Sequence, residues 1–275
     1  MNRQGLDTLR MRSIERDATM PSMPSMPSMI SRVSTILRLY LREESEFTVS
    51  ELSRRTGIPK ASVSRIARDL VDESILERDG DHFRLGIRLF ELGQQASRTT
   101  DLRRVAAPYM YELMSATKQT VHLAVLEGTE VVYVHRLRSK LTPPLPSRIG
   151  GRLPAHATGV GKVLLAFRPL EELDRLGDPP LAALGPRTIT DPEVLRSELH
   201  TIRMNRLAYE REESVADVGC AASPVLDANG RAVAALSVSV HLSSTDLTKM
   251  GPAVAVAARA LSRQLGAPGQ PGSAE

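Results

Sequence analysis

The sequence has a single cysteine, Cys220, and therefore closes no internal disulfide. It has no apolar run approaching the roughly 20 residues that a membrane span needs. Its first residues mix charges and lack the apolar core of a secretory signal. Together these absences point to a reducing, cytoplasmic setting with no membrane partner. A large charge excess is missing too. The net charge is only +4, so any case for a nucleic-acid partner must rest on how the charge is distributed. The hydrophobic fraction of 41% is ordinary for a globular protein, and 275 residues suffice for one large domain or two modest ones.

Recognisable catalytic chemistry is also missing. No Ser-His-Asp order and no pair of catalytic carboxylates stands out. His122, His135 and His156 lack the tight spacing of metal ligands. No enzyme, metal or cofactor is therefore expected. The stretch LPAHATGVGKVLLAF (153–167) contains GVGK, which resembles a phosphate loop. Such a loop needs a glycine five residues before its Gly-Lys pair, and Ser or Thr after the lysine. Here those places hold His156 and Val163, which excludes a nucleotide loop. The physics of a glycine-rich helix start remains. Gly159 lets a ligand approach the backbone, and first-turn N–H groups attract anions such as carboxylates. Lys162 reads as a surface or structural lysine.

The charge becomes informative near the N-terminus. Residues 48–68 carry Arg54, Arg55, Lys60, Arg65 and Arg68 against Glu51 alone. Residues 69–81 carry six carboxylates against Arg78. Around this boundary, residues 30–43 have helical spacing through Ile30, Val33, Ile36, Leu37, Leu39 and Tyr40. A second, short helix capped by Ser50 or Thr48 should end at Gly57. A third should run from Lys60 to about Glu73, burying Val63, Ile66, Ala67, Leu70 and Val71. The stretch ILERDGDHFRLG then reads as a hairpin with an Asp79-Gly80 turn. Three helices and a two-stranded wing make a winged helix-turn-helix. Its third helix should enter the major groove of double-stranded DNA with Lys60, Ser62, Ser64, Arg65 and Arg68 on the outer face. Arg65 is the candidate for a guanine edge, because its fork donates two hydrogen bonds to O6 and N7. Arg54 and Arg55 suit phosphates, and His82 and Arg84 on the wing suit the adjacent backbone. The rival reading is a solvated basic face on a module that binds protein.

Residues 1–28 read as disordered, and within them the Pro-Ser-Met repeat that starts at residue 21 puts proline at every third position, which forbids a helix. They read either as an arm touching DNA through Arg10, Arg12 and Arg16, or as a dispensable tail, even sequence upstream of the true start. Residues 87–100 read as a linker helix carrying Ile87, Phe90, Leu92 and Ala96, enough apolar surface to pack against a second subunit. Residues 101–265 read as an α/β sensor domain, and 266–275 as a tail. Strands are expected at 121–128 and 130–137 around Gly128, and within 220–240 around Asp227-Ala228-Asn229-Gly230. Helices are expected at 158–167, at 169–176, after a Thr190 or Asp191 cap, and over 245–265. Hairpin strands with interleaved helices imply a largely antiparallel sheet in an α+β chain.

TGIPKASVSRIARDLVDESILERDGDHFRLGIRLFELG resembles the N-terminal signature of IclR-type bacterial transcriptional regulators. RLPAHATGVGKVLLAF, TITDPEVLRSELHTIR and EREESVADVGCAASPV followed by ALSVSV extend the resemblance over roughly residues 30–265. It implies a winged helix-turn-helix, a linker helix and a GAF-like effector-binding domain. It further implies a homodimer or a tetramer built from two such dimers, palindromic operators, and a small-molecule effector drawn from organic or aromatic acids. Matched by motif, the effector cavity would be lined by Leu153, Gly159, Val160, Glu210, Cys220, Ser237 and Ser239. Ser237 and Ser239, two apart on a strand, face one side. Buried there they need partners, supplied either by a polar ligand or by backbone carbonyls. Cys220 is read either as an inert core residue or as a redox sensor. The chain departs from the family at Arg211, which interrupts an acidic run, and at Arg206 and Asp217, where glycine is common.

Overall fold

The computed structural model describes residues 28–41, 45–95, 97–142, 145–169 and 180–267. The Pro-Ser-Met segment up to residue 27, the 169–176 helix from residue 170 onward and the tail beyond 267 lie outside the described residues. The chain divides into two units. One holds the residues up to Asp72 together with Leu76–Leu85; the other holds Glu73–Ile75 and everything from Gly86.

In the first unit, helix α1 (Met29–Leu39) precedes a two-residue strand β1 (Phe47–Thr48), helices α2 (Val49–Thr56) and α3 (Lys60–Asp72), and strands β2 (Leu76–Asp79) and β3 (His82–Leu85). Thr48, not Ser50, caps α2. Its hydroxyl accepts the Glu51 N–H while Glu51 Oε2 accepts the Thr48 N–H at 2.8 Å, a reciprocal capping box. Gly57 ends the helix at φ +72°, where a side chain would be strained. Ile36, Phe47, Leu52, Val63, Ile66, Ala67, Leu70, Leu76 and Phe83 form the core. Val71, expected on the buried face, is half-buried. The small sheet runs β1-β3-β2. Asp79 pairs with His82, so the wing turn is Gly80-Asp81 and not Asp79-Gly80. The left-handed φ of +59° at Gly80 fixes it there.

The second unit opens with two helices, α4 (Ile87–Gln94) and α5 (Ser97–Thr117), where one linker helix over 87–100 was expected. Six antiparallel strands follow: β4 (Thr120–Glu127), β5 (Glu130–Leu137), β6 (Arg152–Pro154), β7 (Ala208–Arg211), β8 (Val218–Leu226) and β9 (Ala232–His241). Their order is β6-β5-β4-β9-β8-β7. Helices α6 (Gly159–Ala166) and α7 (Pro192–Asn205) pack with one face of the sheet, and α5 and α8 (Met250–Gln264) with the other. Strand alternation sorts the residues. Leu236, Val238 and Val240 of β9 join Met110 and Val254 in one core. Ala222 of β8 and Ala235 of β9 join Val160, Val163, Leu195 and Ile202 in the other. With both faces covered, all nine residues of β8 are buried.

Candidate functional site

On the first unit, Lys60, Arg65 and Arg68 are exposed along α3, and Ser62 and Ser64 are half-exposed. Lys60, Ser64 and Arg68 recur every four residues and so form one stripe. That stripe borders a groove of about 490 Å³ shared with Thr48, Ser50 and Arg78. The sequence reading named these last three only as helix caps and as the cation beside the acidic run, not as part of this face. Thr48 and Ser50 could have been found as hydroxyls at a helix N-terminus, a natural phosphate seat. Arg54 and Arg55 are exposed at the end of α2, and the Arg55 guanidinium lies 5.0 Å over the Phe47 ring. His82 is exposed. Arg84 is committed elsewhere: its Nε sits 3.2 Å from Glu77 and its Nη1 3.7 Å from Asp79, both in the wing. Asp69 and Asp72 are exposed on the second half of α3.

On the second unit, strand register gathers the expected cavity residues. Glu210 of β7 lies opposite Cys220 of β8, and Cys220 opposite Ser239 of β9. In the neighbouring row, Ser237 of β9 lies opposite His122 of β4. Both rows share the α6 face. Helix α6 starts beside them because Thr158 caps it, its Oγ1 accepting the Gly161 N–H at 3.1 Å. The Gly159 and Val160 N–H groups are the other donors of that first turn. Leu153, Gly159, Val160, Glu210, Cys220, Ser237 and Ser239 all line one cavity of about 30 Å³. Its further walls are His122, Tyr133, Leu145, Pro146, Ser147, Thr158, Ser214 and Val218. His122, Tyr133 and Val218 were missed because strand alternation cannot assign a face when both faces are buried; the other five lie outside the strands, where no periodic pattern applies.

Burial sets the chemistry of the cavity. The Glu210 carboxyl is 1% exposed and pushed up to about 7, chiefly by burial and also by Glu213, against the N–H bonds it accepts. Those come from Glu213 at 2.6 Å and Ser214 at 3.2 Å. Burial, with Glu210 beside it, raises the Cys220 thiol to about 12, so it is inert as a nucleophile at neutral pH. Ser237 and Ser239 hydrogen-bond the Cys220 side chain, a partner that neither earlier reading considered. His122 is driven down to about 3 by burial and by Arg136, and stays neutral. Its Nε2 lies 2.8 Å from Ser147 Oγ. No Lys or Arg lines the cavity among the described residues. An anion there meets hydroxyls, a neutral imidazole, the Glu210 carboxyl and the start of α6.

The GVGK stretch resolves residue by residue. A methyl at Gly161 would meet Ala155 backbone atoms at 2.2–2.6 Å, so its glycine serves helix packing. A methyl at Gly159 would lie 3.1 Å from Cys220 Sγ, in the cavity wall. Lys162 is not a surface residue. It is 1% exposed, with Nζ 2.6 Å from Glu213 and 3.3 Å from Glu198.

Two family models match the chain. "Bacterial transcriptional regulator IclR C-terminal" covers residues 94–265, and "IclR helix-turn-helix domain" covers 30–80. The HTH-type transcriptional regulator XynR of Escherichia coli is 34% identical over 85% of this chain and 95% of its own length. KdgR of the same organism is 34% identical over 82% and 88%. An IclR homolog of Microbacterium hydrocarbonoxydans, solved in complex with 4-hydroxybenzoate, aligns at a TM-score of 0.80 with 31% identity. The alignment covers 86% of this chain and 99% of that one. The Thermotoga maritima IclR aligns at 0.69 with 28% identity, over 86% and 98%.

Proposed function

Since the chain belongs to the IclR family of transcriptional regulators, we propose that it binds operator DNA in the cytoplasm under the control of a small organic or aromatic acid. Residues 29–86 read the DNA, 87–100 join the domains and 101–265 hold the acid. Arg65 reads a guanine, Lys60, Ser62, Ser64 and Arg68 support it, and Arg54 and Arg55 grip phosphates. His82 reaches the flanking backbone, whereas Arg84, tied to two wing carboxylates, contributes least. The acid's carboxylate sits on the first turn of α6, beside Leu153, Gly159 and Val160, with Glu210, Cys220, Ser237 and Ser239 opposite. The observation that carries this reading is the convergence of all seven residues on one cavity, Glu210, Cys220, Ser237 and Ser239 through strand register and the others from β6 and the start of α6. The relative solved with 4-hydroxybenzoate supports the acid class. Exposed Ile87, Phe90 and Leu92 on α4 support a homodimer, and dimers pairing into tetramers would link effector to operator spacing.

The rival enzyme reading gains nothing from the Asp217–His241–Ser243 cluster. Asp217 lies 2.6 Å and Ser243 3.3 Å from the same nitrogen, Nδ1, whereas a nucleophile–base relay needs the two ring nitrogens on opposite partners. The test is binding to the DNA upstream of the protein's own gene. Arg65→Ala should cost about 1–3 kcal/mol and relax discrimination. Arg54→Ala should weaken all sequences alike and lower the salt slope by about one. Full sequence-specific binding by Arg65→Ala refutes the readout. For the effector, an acid at 100 times its Kd should stabilise the fold by about 2.7 kcal/mol in a thermal-shift screen. Operator affinity indifferent to every acid that stabilises the protein refutes effector control.

A further inference from the structure

We propose that Lys162 is a positioning residue of the cavity: through Glu213 it fixes Glu210 and sets the charge of the acidic wall. This rests on the reading of Glu210 as a cavity wall that meets the effector. A buried ammonium is weak evidence of stabilisation, since an apolar side chain of similar volume often serves as well or better. What distinguishes this one is where its partners lead. Glu213 receives Lys162 Nζ on Oε1 at 2.6 Å and gives its own N–H to Glu210 Oε1 at 2.6 Å. The Glu213 carbonyl accepts the Thr188 hydroxyl at 2.5 Å and the Gly185 N–H at 2.9 Å. One residue therefore ties Lys162, the cavity carboxyl and the 185–188 segment together. Lys162 also belongs to the helix that supplies Gly159 and Val160, so opposite walls of the cavity share one tether.

The charges around Glu210 give this tether a sign. Lys162 comes from α6, Glu198 from α7, and Glu213 from the loop after β7. Tyr133, Cys220 and His122, from β5, β8 and β4, are neutral. Three carboxylates thus share one cation among the described residues. Glu213 Oε2 is buried without a hydrogen-bond partner. Removing the cation leaves the carboxylates to repel one another, which favours a proton on Glu210. Removing the Glu213 charge does the reverse.

The test needs no ligand. Full-length protein labelled with 13C-glutamate is titrated by NMR, with Glu210→Gln assigning the resonance. Lys162→Met should raise the Glu210 midpoint by about 1 pH unit or more, and Glu213→Gln should lower it by a similar amount. A residue that only fills space would not move the two in opposite directions. Should Lys162→Met fail to fold, Glu213→Gln alone decides, because an unmoved or raised midpoint overturns the proposal. A second arm uses 4-hydroxybenzoate as the probe in calorimetry. Its Kd should rise with pH above the Glu210 midpoint, with the inflection shifted upward in Lys162→Met; an unshifted inflection counts against the proposal. No binding by wild type at any pH would sink this acid as an effector, and the NMR titration would still judge Lys162.

Discussion

A methyl group added at Gly161 should destabilise the protein, although the same change in an open helix would stabilise it. Alanine is favoured over glycine in a helix by about 1 kcal/mol, and Gly161 is not among the residues with positive φ. The obstacle is steric. The new carbon would lie 2.2 Å from the Ala155 carbonyl oxygen, 2.4 Å from its Cα and 2.6 Å from its carbonyl carbon. Carbon contacts settle at about 3.5–4.0 Å, so helix or turn must move by more than about 1 Å. The turn is not loose. The Ala155 N–H is bonded to Thr129 at 2.9 Å, and the Ala155 carbonyl accepts from Thr158 at 3.3 Å. Overpacking of this kind costs about 1–3 kcal/mol or more, and here the displaced atoms are backbone, so the upper end applies. For a domain of this size the loss is a fall in Tm of about 5–10 °C. Gly159→Ala is the control. The nearest atoms to its methyl are side-chain atoms of Cys220 and Ala222, at 3.1–3.5 Å. Stability should therefore stay within about 1 kcal/mol of wild type, while the thermal shift produced by a cavity-binding acid is lost. Differential scanning calorimetry with and without the acid reads both. A Gly161→Ala protein as stable as wild type, or a Gly159→Ala protein with a full ligand shift, would refute these roles.

Two further outcomes follow from strained backbone and buried charge. Arg206 ends α7 at φ +53°, a left-handed conformation costing a side chain about 1–2 kcal/mol; Arg206→Gly should raise Tm by about 2–4 °C. Asp217, at φ +56°, should show no such gain on change to glycine, because it would lose its 2.9 Å bonds to the Ser243 N–H and hydroxyl. The two glycine variants are compared by thermal denaturation, and equal effects would contradict this account. Glu210, raised from 4.5 to about 7, holds a proton in the folded state that the unfolded chain releases. The stability it contributes is complete below pH 4.5 and is lost as pH rises through 7. Glu210→Gln imitates the protonated form, so in urea titrations its stability relative to wild type should climb between pH 4.5 and 7 and level off above. A flat difference would mean that the carboxyl titrates normally.

What could be read in advance was what local chemistry determines. Thr48, Gly57, Gly128, Asp191 and Gly230 mark caps and turns through their own backbone or side-chain bonds, and the elements they bound lie where spacing placed them. The strands that spacing does not predict are β1, β6 and β7, each at the edge of its sheet. An edge strand of two to four residues is defined by pairing with a distant partner and carries too few positions for a periodic pattern. Helix α5 was hidden because Pro108 sits inside it, where proline ordinarily ends a helix. The choice between a surface and a structural Lys162 stays open in the sequence because its partners, Glu198 and Glu213, are 36 and 51 residues away. The cavity was legible only through the family resemblance. Nothing local connects Glu210 to Ser239; the β7-β8-β9 register does.

The size of the cavity bears on how an acid would enter. About 30 Å³ accommodates roughly two waters, and a benzene-sized guest needs on the order of 150 Å³. Some wall must yield. The floor is poorly placed to do so, because β8 and β9 pair through nine positions in the sheet interior. The 145–147 wall is held by fewer bonds: Ser147 Oγ lies 2.8 Å from His122 Nε2, and the Ser147 carbonyl accepts from Arg136. Ser147→Ala removes the first bond and leaves the second. Losing one hydrogen bond should lower ligand-free stability by about 1 kcal/mol. If this bond resists expansion, ligand binding no longer has to break it, and affinity for a ring-sized acid should rise by up to about fivefold. Calorimetry of wild type and Ser147→Ala with one such acid reads the sign. A fall in affinity would mean that Ser147 and His122 grip the ligand directly, and that the expansion occurs at the 212–214 wall held by Lys162.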